Sequence, residues 1–224
     1  MAEGLYVKQL QLGPMDNFVY LLGAQDAKET AIIDAAWNVE AAVAAAAADG
    51  REITHALVSH WHFDHTNGLL PLLELQGVRI CAHERDAEEL PREIQSSVTR
   101  FSGGDTIEVG PLRIRALHTP GHTPGSTTYQ LEAAAGGFPG AIFSGDTLFV
   151  NACGRCDLKG GDPAQMFESL RKLSALGGDV LLYPGHDYGD VPASSIAREQ
   201  THNPYFARLG SLEQFVGLRT RPRG

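Results

Sequence analysis

The segment SHWHFDH places four side chains that can bind a metal within six positions, directly after an apolar run. His60 and His62 are two residues apart, so on an extended segment their side chains point in the same direction. Asp64 and His65 follow at a turn, where they can face a neighbouring point. Imidazole and carboxylate groups are suitable donors for zinc, iron or manganese. A single histidine in a polar loop usually has no such role, but three histidines and an aspartate this close together predict a metal centre with two adjacent positions.

Three later segments each place a potential metal ligand beside a glycine. They are HTPGHT, SGDT and PGHDY, which contain His122, Asp146 and His186 respectively. Glycine allows the backbone to turn tightly and to approach a ligand closely. Together with the first segment, they supply five histidines and two aspartates. All seven would be used by two four-coordinate sites that share one carboxylate.

Apolar patterning predicts the elements that must position these residues. Nine strands are expected, over residues 18–22, 30–34, 53–59, 78–82, 106–109, 112–117, 127–131, 141–143 and 180–183. Five helices are expected, over 39–49, 69–76, 84–90, 163–176 and 194–200, with a mobile tail from residue 219. Strand and helix do not alternate strictly, so this order predicts an α/β fold in which two mixed sheets pack together with helices outside.

Composition and charge restrict the possible partners. The chain has 224 residues, 43% of them hydrophobic, which suits a soluble protein that forms a single domain over 1–224 with a short C-terminal extension. The net charge of −9 argues against nucleic acid as the main partner, although local cations can still hold a small anionic substrate. Residues 41–48 are the longest apolar run, too short to cross a membrane. Because the N-terminus also lacks the pattern of a signal peptide, we expect a cytoplasmic protein; its oligomeric state is left open.

The segments HWHFDH, HTPGHTPG, FSGDTLF and YPGHDY resemble, in this order, the motifs of the metallo-β-lactamase fold superfamily. They are most similar to those of its glyoxalase II (hydroxyacylglutathione hydrolase) and persulfide dioxygenase branches. The resemblance implies an αββα sandwich with metals at one edge. In binuclear members, the first metal would be held by His60, His62 and His122. The second would be held by Asp64, His65 and His186, with Asp146 as the bridge.

A further aspartate, Asp34, follows the second of the predicted strands. The resemblance implies that it orients one of the ligand histidines and is not itself a ligand. A carboxylate that stabilises the turn at the end of the strand is the alternative interpretation.

The resemblance also implies a reaction, the hydrolysis of a thioester of the S-acyl-glutathione kind. Two divalent metals, zinc with iron or manganese as alternatives, would lower the pKa of a bridging water, and the resulting hydroxide would attack the thioester carbonyl. Asp64 and Asp146 would be the catalytic carboxylates, with Asp64 holding or accepting a proton. The thiolate leaving group would need no strong general acid.

Two other functions are compatible with the sequence. In persulfide dioxygenases, which are similar in the same motifs, a single Fe(II) would map onto His60, His122 and Asp146. A non-catalytic metal or redox protein would instead use Cys153 and Cys156, which form a CxxC pair.

Two residues resemble positions that contact glutathione in glyoxalase II enzymes, Arg155 and Tyr188. In the alternative interpretation Arg155 pairs with Asp157, and Tyr188 covers the core. Asn67 stands where the family usually has a glycine, and the sequence does not indicate its effect.

Overall fold

Two six-stranded sheets form the centre of the computed structural model, which describes residues 4–133 and 137–221. The first sheet contains six strands in chain order: β1 (Leu5–Leu12), β2 (Asn17–Ala24), β3 (Glu29–Ile33), β4 (Glu52–Leu57), β5 (Arg79–His83) and β6 (Val98–Phe101). Strands β1 to β3 are antiparallel, and β3 to β6 are parallel. The first sheet is therefore mixed.

The second sheet is also mixed. Its strands are β7 (Thr106–Val109), β8 (Leu112–His118), β9 (Thr127–Leu131), β10 (Ala141–Phe143), β13 (Leu181–Tyr183) and β14 (Ser194–Ser195), in the spatial order β14-β13-β10-β9-β8-β7. Only β10 and β13 are parallel. A separate two-stranded ribbon joins β11 (Leu148–Phe149) to β12 (Ala152–Cys153).

Helices cover the outer faces of both sheets. Those in the first half of the chain are α1 (Val39–Ala48), α2 (Phe63–Thr66), α3 (Leu69–Gln76), α4 (Glu84–Ala87) and α5 (Arg92–Gln95). Those in the second half are α6 (Pro163–Ser174), α7 (Ile196–His202), a 3-10 turn (Phe206–Arg208) and α8 (Leu212–Arg219). In the part of the chain that the structure describes, no helix combines the length and apolar character needed to cross a membrane.

The side chains of β2 show how the layers arise. Val19 and Leu21 pack against the helices of the first half of the chain, whereas Phe18, Tyr20 and Leu22 pack between the sheets. Successive side chains of a strand point to opposite faces, so a strand that is apolar at every position is buried on both sides. A third cluster packs α6 on the outer face of the second sheet. The predicted αββα sandwich is confirmed.

Several predicted element boundaries were wrong. Strand β1 was missed because its side chains are mostly half-buried and alternate weakly. Helix α4 covers only four residues of the predicted 84–90. Arg219, predicted to begin a mobile tail, instead ends α8, is 8% exposed and donates to Tyr205 Oη at 2.8 Å. Residues 222–224 of that tail lie outside the described residues.

Candidate metal centre

Every predicted ligand lies in a segment that follows the carboxyl end of a strand, and two of them, Asp64 and His65, lie in the short helix α2. His60 follows β4, His122 follows β8, Asp146 follows β10 and His186 follows β13. The loops at the carboxyl ends of strands are where ligands bind in open α/β sheets. These strands belong to both sheets, and the loops that follow them meet at one edge of the sandwich. The structure brings all seven predicted ligands together at this edge.

The first group of donor atoms comes from His60, His62 and His122. Their ring nitrogens lie within 4.8 Å of one another. The shortest separation, 2.9 Å, is between His122 Nε2 and His62 Nδ1. His60 is 1% exposed and His122 2% exposed, whereas His62 is half-buried. Three imidazoles thus converge from two loops, a donor set that suits a zinc or iron ion.

The second group comes from Asp64, His65 and His186. The Nε2 atoms of the two histidines are 3.1 Å apart, and each lies 3.4 Å from Asp64 Oδ2. Both histidines are buried. These three donors therefore converge on a second point next to the first.

Asp146 lies between the two groups. Its Oδ2 is 3.4 Å from His122 Nε2, and its Oδ1 is 3.3 Å from His65 Nε2 and 3.4 Å from His186 Nε2. One oxygen thus faces each group, which is the geometry of a bridging carboxylate. The backbone at Gly154, directly after the ribbon, passes so close to Asp146 that a Cβ at this position would clash with the Asp146 carbonyl oxygen.

Hydrogen bonds on the far side of each ring fix which nitrogen faces the site. His122 Nδ1 donates to the Arg155 carbonyl at 2.7 Å, and His186 Nδ1 donates to the Met15 carbonyl at 2.8 Å. His65 Nδ1 donates to Asp34 Oδ2 at 2.9 Å. A neutral imidazole that donates from Nδ1 has a lone pair on Nε2. The Nε2 lone pairs of these three histidines therefore point into the site.

This arrangement fits divalent cations. The Nε2 atoms of His65 and His186 face each other at 3.1 Å, so a proton or a cation must lie at this point of the site. His60 Nε2 and Asp146 Oδ1 are buried without a hydrogen-bond partner among the described residues. Buried polar atoms are nearly always satisfied, so these two atoms indicate a ligand. Imidazole nitrogen and carboxylate oxygen are the donors that zinc and iron prefer.

The pKa values of the site residues have two causes. Burial lowers the pKa of His60 and of His122, and lowers that of His62 to about 4, so these rings are neutral and free to bind a metal at pH 7. Burial also lowers the pKa of His65, but the carboxylates of Asp146 and Asp34 outweigh it and raise that pKa. The carboxylates that surround His65 therefore favour a positive charge at this point, either a proton or a cation.

Asp34 accepts hydrogen bonds from the loop that follows β4. Its Oδ1 accepts from Ser59 N and its Oδ2 from Ser59 Oγ, both at 2.7 Å, in addition to the bond from His65. Asp34 is 2% exposed and adopts a φ of 57°, a left-handed conformation that aspartate tolerates better than most residues. Three donors, one of them His65, thus occupy the two oxygens of Asp34, which also lies within 4.8 Å of the donor atoms of His60 and His65.

A side-chain network that the sequence did not reveal supports Asp64. Asn17 Nδ2 donates to Asp64 O at 3.0 Å and to Asp64 Oδ2 at 3.1 Å, while Asn17 Oδ1 accepts from Trp37 Nε1 at 2.7 Å. Trp37 has a φ of 53°, and its backbone N–H donates to Asn67 Oδ1 at 2.6 Å. Asn67 therefore positions Trp37, a role that the glycine usual in the family could not fill.

Asp86 was also missed, because it lies in a charged segment with no ligand motif. It is 1% exposed and accepts from Trp61 N at 3.2 Å, Thr123 Oγ1 at 2.6 Å and Gly125 N at 2.6 Å. Trp61 separates His60 from His62, and Thr123 follows His122. Asp86 therefore ties together the two loops that carry the first group.

The buried carboxyl group of Asp86 makes the free energy of unfolding depend on pH. Burial raises the pKa of Asp86 to about 6, against the opposing hydrogen bonds from Thr123, Gly125 and Trp61. A carboxyl whose pKa is raised by folding binds its proton more tightly in the folded chain. Its contribution therefore favours folding below about pH 4 and is lost as the pH rises to about 6.

We expect Asp86→Asn to remove this dependence. Its free energy of unfolding, relative to that of the wild type, should rise by about 2 to 3 kcal/mol between pH 4 and pH 7. This gain should appear on top of a constant loss from the weakened hydrogen bonds. Urea unfolding of both chelator-treated proteins across this range measures it, with Asp26→Asn, an exposed carboxylate, as the control. Parallel pH profiles for Asp86→Asn and the wild type would contradict the assignment.

The predicted substrate contacts lie at the exposed rim of the site. The Arg155 guanidinium pairs with both oxygens of Asp157, at 2.8 and 2.7 Å, as the alternative interpretation expected. Tyr188 is 53% exposed, so it does not cover the core, and its ring stacks on His186 at 4.5 Å. Cys153 and Cys156 are not joined by a disulfide, and burial raises the pKa of Cys156 to about 11. A thiol that is protonated at pH 7 gives no support to a redox function.

Comparisons with known proteins agree with this geometry. The family model of the metallo-beta-lactamase superfamily matches residues 12–186. A hydroxyacylglutathione hydrolase of Rhodospirillum rubrum is 38% identical over 77% of this chain, which spans 63% of that enzyme's length. A probable polyketide biosynthesis zinc-dependent hydrolase of Bacillus subtilis, PksB, is 28% identical over 92% of this chain and 88% of its own. The solved structure of ETHE1 from Myxococcus xanthus superimposes with a TM-score of 0.84 and 30% identity, over 97% of this chain and 92% of that one.

Proposed function

The chain belongs to the metallo-beta-lactamase superfamily, and on that premise we propose that it is a glyoxalase II-like metallohydrolase that cleaves a thioester of the S-acyl-glutathione kind. The observation that carries this proposal is the presence of two complete groups of donor atoms with Asp146 between them. Such a pair of sites is suited to hydrolysis, because two cations held side by side supply Lewis acidity and a water of lowered pKa.

The proposed ligands fall into the same two groups as the donor atoms described above. His60, His62 and His122 would hold the first cation. Asp64, His65 and His186 would hold the second, and Asp146 would contact both. The inward lone pairs fixed by Asp34 and by the carbonyls of Met15 and Arg155 support this assignment.

The two carboxylates nearest the reaction would have different tasks. Burial alone would raise the pKa of Asp64, but the neighbouring side chains of His186, His65 and Asn17 hold it well below its usual range. Asp64 is therefore ionised at pH 7, the form that a cation would bind and that could accept a proton during turnover. Asp146 fixes the spacing of the two groups, since each of its oxygens faces one of them.

Arg155 and Tyr188 are proposed to contact the substrate outside the reacting bond. The pair between Arg155 and Asp157 is exposed, and exposed ion pairs contribute about 0 to 1 kcal/mol. A carboxylate of the substrate can therefore replace Asp157 at little cost. Tyr188 presents an exposed aromatic ring beside His186.

The similarity to the Myxococcus xanthus ETHE1 structure supports a second candidate, a mononuclear-iron persulfide dioxygenase. This support is no stronger than the support that the hydroxyacylglutathione hydrolase relatives give to the first candidate. The triad of the dioxygenase, His60, His122 and Asp146, is contained in the same site. The two candidates differ in whether the second group, Asp64, His65 and His186, would hold a cation, because a mononuclear iron enzyme would leave these donors without one.

One experiment separates the candidates. Metal content is measured on protein purified without added metal, followed by assays with S-lactoylglutathione and, in an oxygen electrode, with glutathione persulfide. We expect close to two metals per chain and cleavage of the thioester. Close to one iron per chain, with oxygen consumption and no thioester cleavage, would reject the hydrolase in favour of the dioxygenase.

A further inference from the structure

Half of the strongly exposed apolar side chains belong to residues that adjoin the candidate metal centre. Six large apolar or aromatic side chains are strongly exposed in the described parts of the chain: Met15, Phe63, Leu75, Leu158, Tyr188 and Leu212. Three of them adjoin the candidate ligands, Phe63 in sequence and Met15 and Tyr188 by contact with His186. We call Met15, Phe63 and Tyr188 the apolar rim. Exposed apolar side chains beside a candidate active site indicate a surface that binds a ligand or a partner.

Phe63 is the most exposed member of the apolar rim, at 70%. It lies in sequence between His62 and Asp64 and begins α2. Behind it, the Trp37 ring packs edge to face at 6.0 Å. Trp37 is itself fixed by its hydrogen bonds to Asn17 and Asn67. Phe63 is thus an apolar ring on a rigid support, which binds a ligand with little loss of conformational entropy.

Met15 and Tyr188 are tied to the second group of donors. The Met15 carbonyl accepts from His186 Nδ1 at 2.8 Å and from Tyr188 Oη at 3.3 Å. The Tyr188 ring is nearly parallel to that of His186, at an interplanar angle of 9°. The apolar rim therefore has one member beside the first ligand loop and two beside His186.

The cations of the loop after Cys153 already have partners. Arg155 pairs with Asp157 and Lys159 pairs with Glu89, each at 2.7 Å. These exposed pairs leave Arg155 to a carboxylate of the thiol part of the substrate, as proposed above, whereas the apolar rim offers exposed hydrophobic surface to the acyl group. Hydrophobic burial is the larger source of binding free energy that this part of the molecule supplies.

We propose that the apolar rim binds the acyl group of the thioester, and that the substrates are thioesters of unsubstituted, apolar acyl groups and not of small hydroxyacyl groups. This inference rests on the proposed thioester hydrolysis and specifies its substrate class. Phe63 is its main specificity-determining residue, because it combines the greatest exposure with a position between two proposed ligands.

The test compares ligands that share one thiol and differ only in the attached group. S-hexylglutathione and S-methylglutathione are thioethers that cannot be hydrolysed, and their Kd values are measured by calorimetry. S-hexanoylglutathione and S-lactoylglutathione are the matching thioesters, and their kcat/KM values are measured on the metal-loaded enzyme. We expect the hexyl and hexanoyl compounds to be favoured by at least about 10-fold in each comparison.

Substitutions of Phe63 then test whether this side chain causes the preference for the hexyl and hexanoyl compounds. Phe63→Ser should reduce both ratios by about 5- to 10-fold, and Phe63→Leu should retain most of them, because leucine keeps an apolar surface. Leu212→Ser is the matched control, an exposed apolar residue at the start of α8, and it should leave both ratios unchanged. Thermal unfolding of each variant checks that the fold is retained.

The outcomes are distinguishable. A preference for the lactoyl and methyl compounds, or ratios that Phe63→Ser does not change, would overturn the inference while leaving thioester hydrolysis in place. Tight, Phe63-dependent binding of S-hexylglutathione without cleavage of either thioester would support the apolar rim and reject the proposed function. Neither selective binding nor cleavage would reject both.

Discussion

Replacing Asp146 with alanine is expected to lower kcat/KM for thioester hydrolysis by at least about 10³-fold, equivalent to roughly 4 kcal/mol of transition-state stabilisation. The reason lies in the position of this carboxylate, which has one oxygen 3.4 Å from His122 Nε2 and the other 3.3 Å from His65 Nε2. Without it, each cation loses a ligand and the two are no longer held at a fixed spacing. The variant should also purify with fewer than two metals per chain.

Metal analysis after dialysis and steady-state kinetics on the same preparation measure both effects. Asp26→Ala is the matched control, because it removes an exposed carboxylate from the turn between β2 and β3 and should retain wild-type metal content and activity. Asp146→Ala protein with activity within about 10-fold of the wild type would rule out a bridging carboxylate. It would equally exclude the mononuclear alternative, which also uses Asp146.

Asp34→Asn is expected to weaken the binding of the second cation by about 10- to 100-fold. Asparagine tolerates the φ of 57° at this position, so the backbone should be retained. Its amide nitrogen, however, cannot accept the hydrogen bonds that Asp34 Oδ2 receives from Ser59 Oγ and His65 Nδ1. With an N–H facing its Nδ1, His65 must move its proton to Nε2, and the lone pair that faces the second group is lost.

Competition with a zinc chelator measures the affinity of each site, and nitrogen NMR of the histidine rings reports the tautomer of His65 directly. Ser59→Ala is the comparison variant, because it leaves the bond from His65 to Asp34 in place and removes only the contacts of Ser59 Oγ with Asp34 and with His60 Nδ1, at 2.7 and 3.0 Å. Its effect on the second site should be clearly smaller. Equal zinc affinity in Asp34→Asn and the wild type would mean that Asp34 only stabilises the turn after β3.

The ligand segments could be predicted from the sequence because their signal is local. His60, His62, Asp64 and His65 lie within six positions, and each of the other ligands directly follows or precedes a glycine-containing turn at a strand end. The αββα architecture could be predicted for a related reason. Strands such as β2, whose residues 18–22 are all apolar or aromatic, must be buried on both faces and therefore require a second sheet and an outer layer of helices.

The supporting residues could not be predicted, because their partners are distant in sequence. Asn17 reaches Asp64 across 47 positions, and Asp86 reaches Gly125 across 39. Neither residue lies in a motif, and a buried aspartate in a charged segment has the same sequence pattern as a solvated one. Arg219 shows the opposite error, since a cation near the end of the chain was expected in solvent and is buried beside Tyr205.

The orientation of two proposed ligands by main-chain oxygens has a consequence for how this enzyme can change over evolutionary time. His186 is held by the carbonyl of Met15, and His122 by the carbonyl of Arg155. Every amino acid has a carbonyl, so substitution at either position preserves the hydrogen bond while replacing a side chain at the rim. Substitution of Met15 or Arg155 is therefore expected to change the side chain beside the site while the orientation of His186 or His122 is retained.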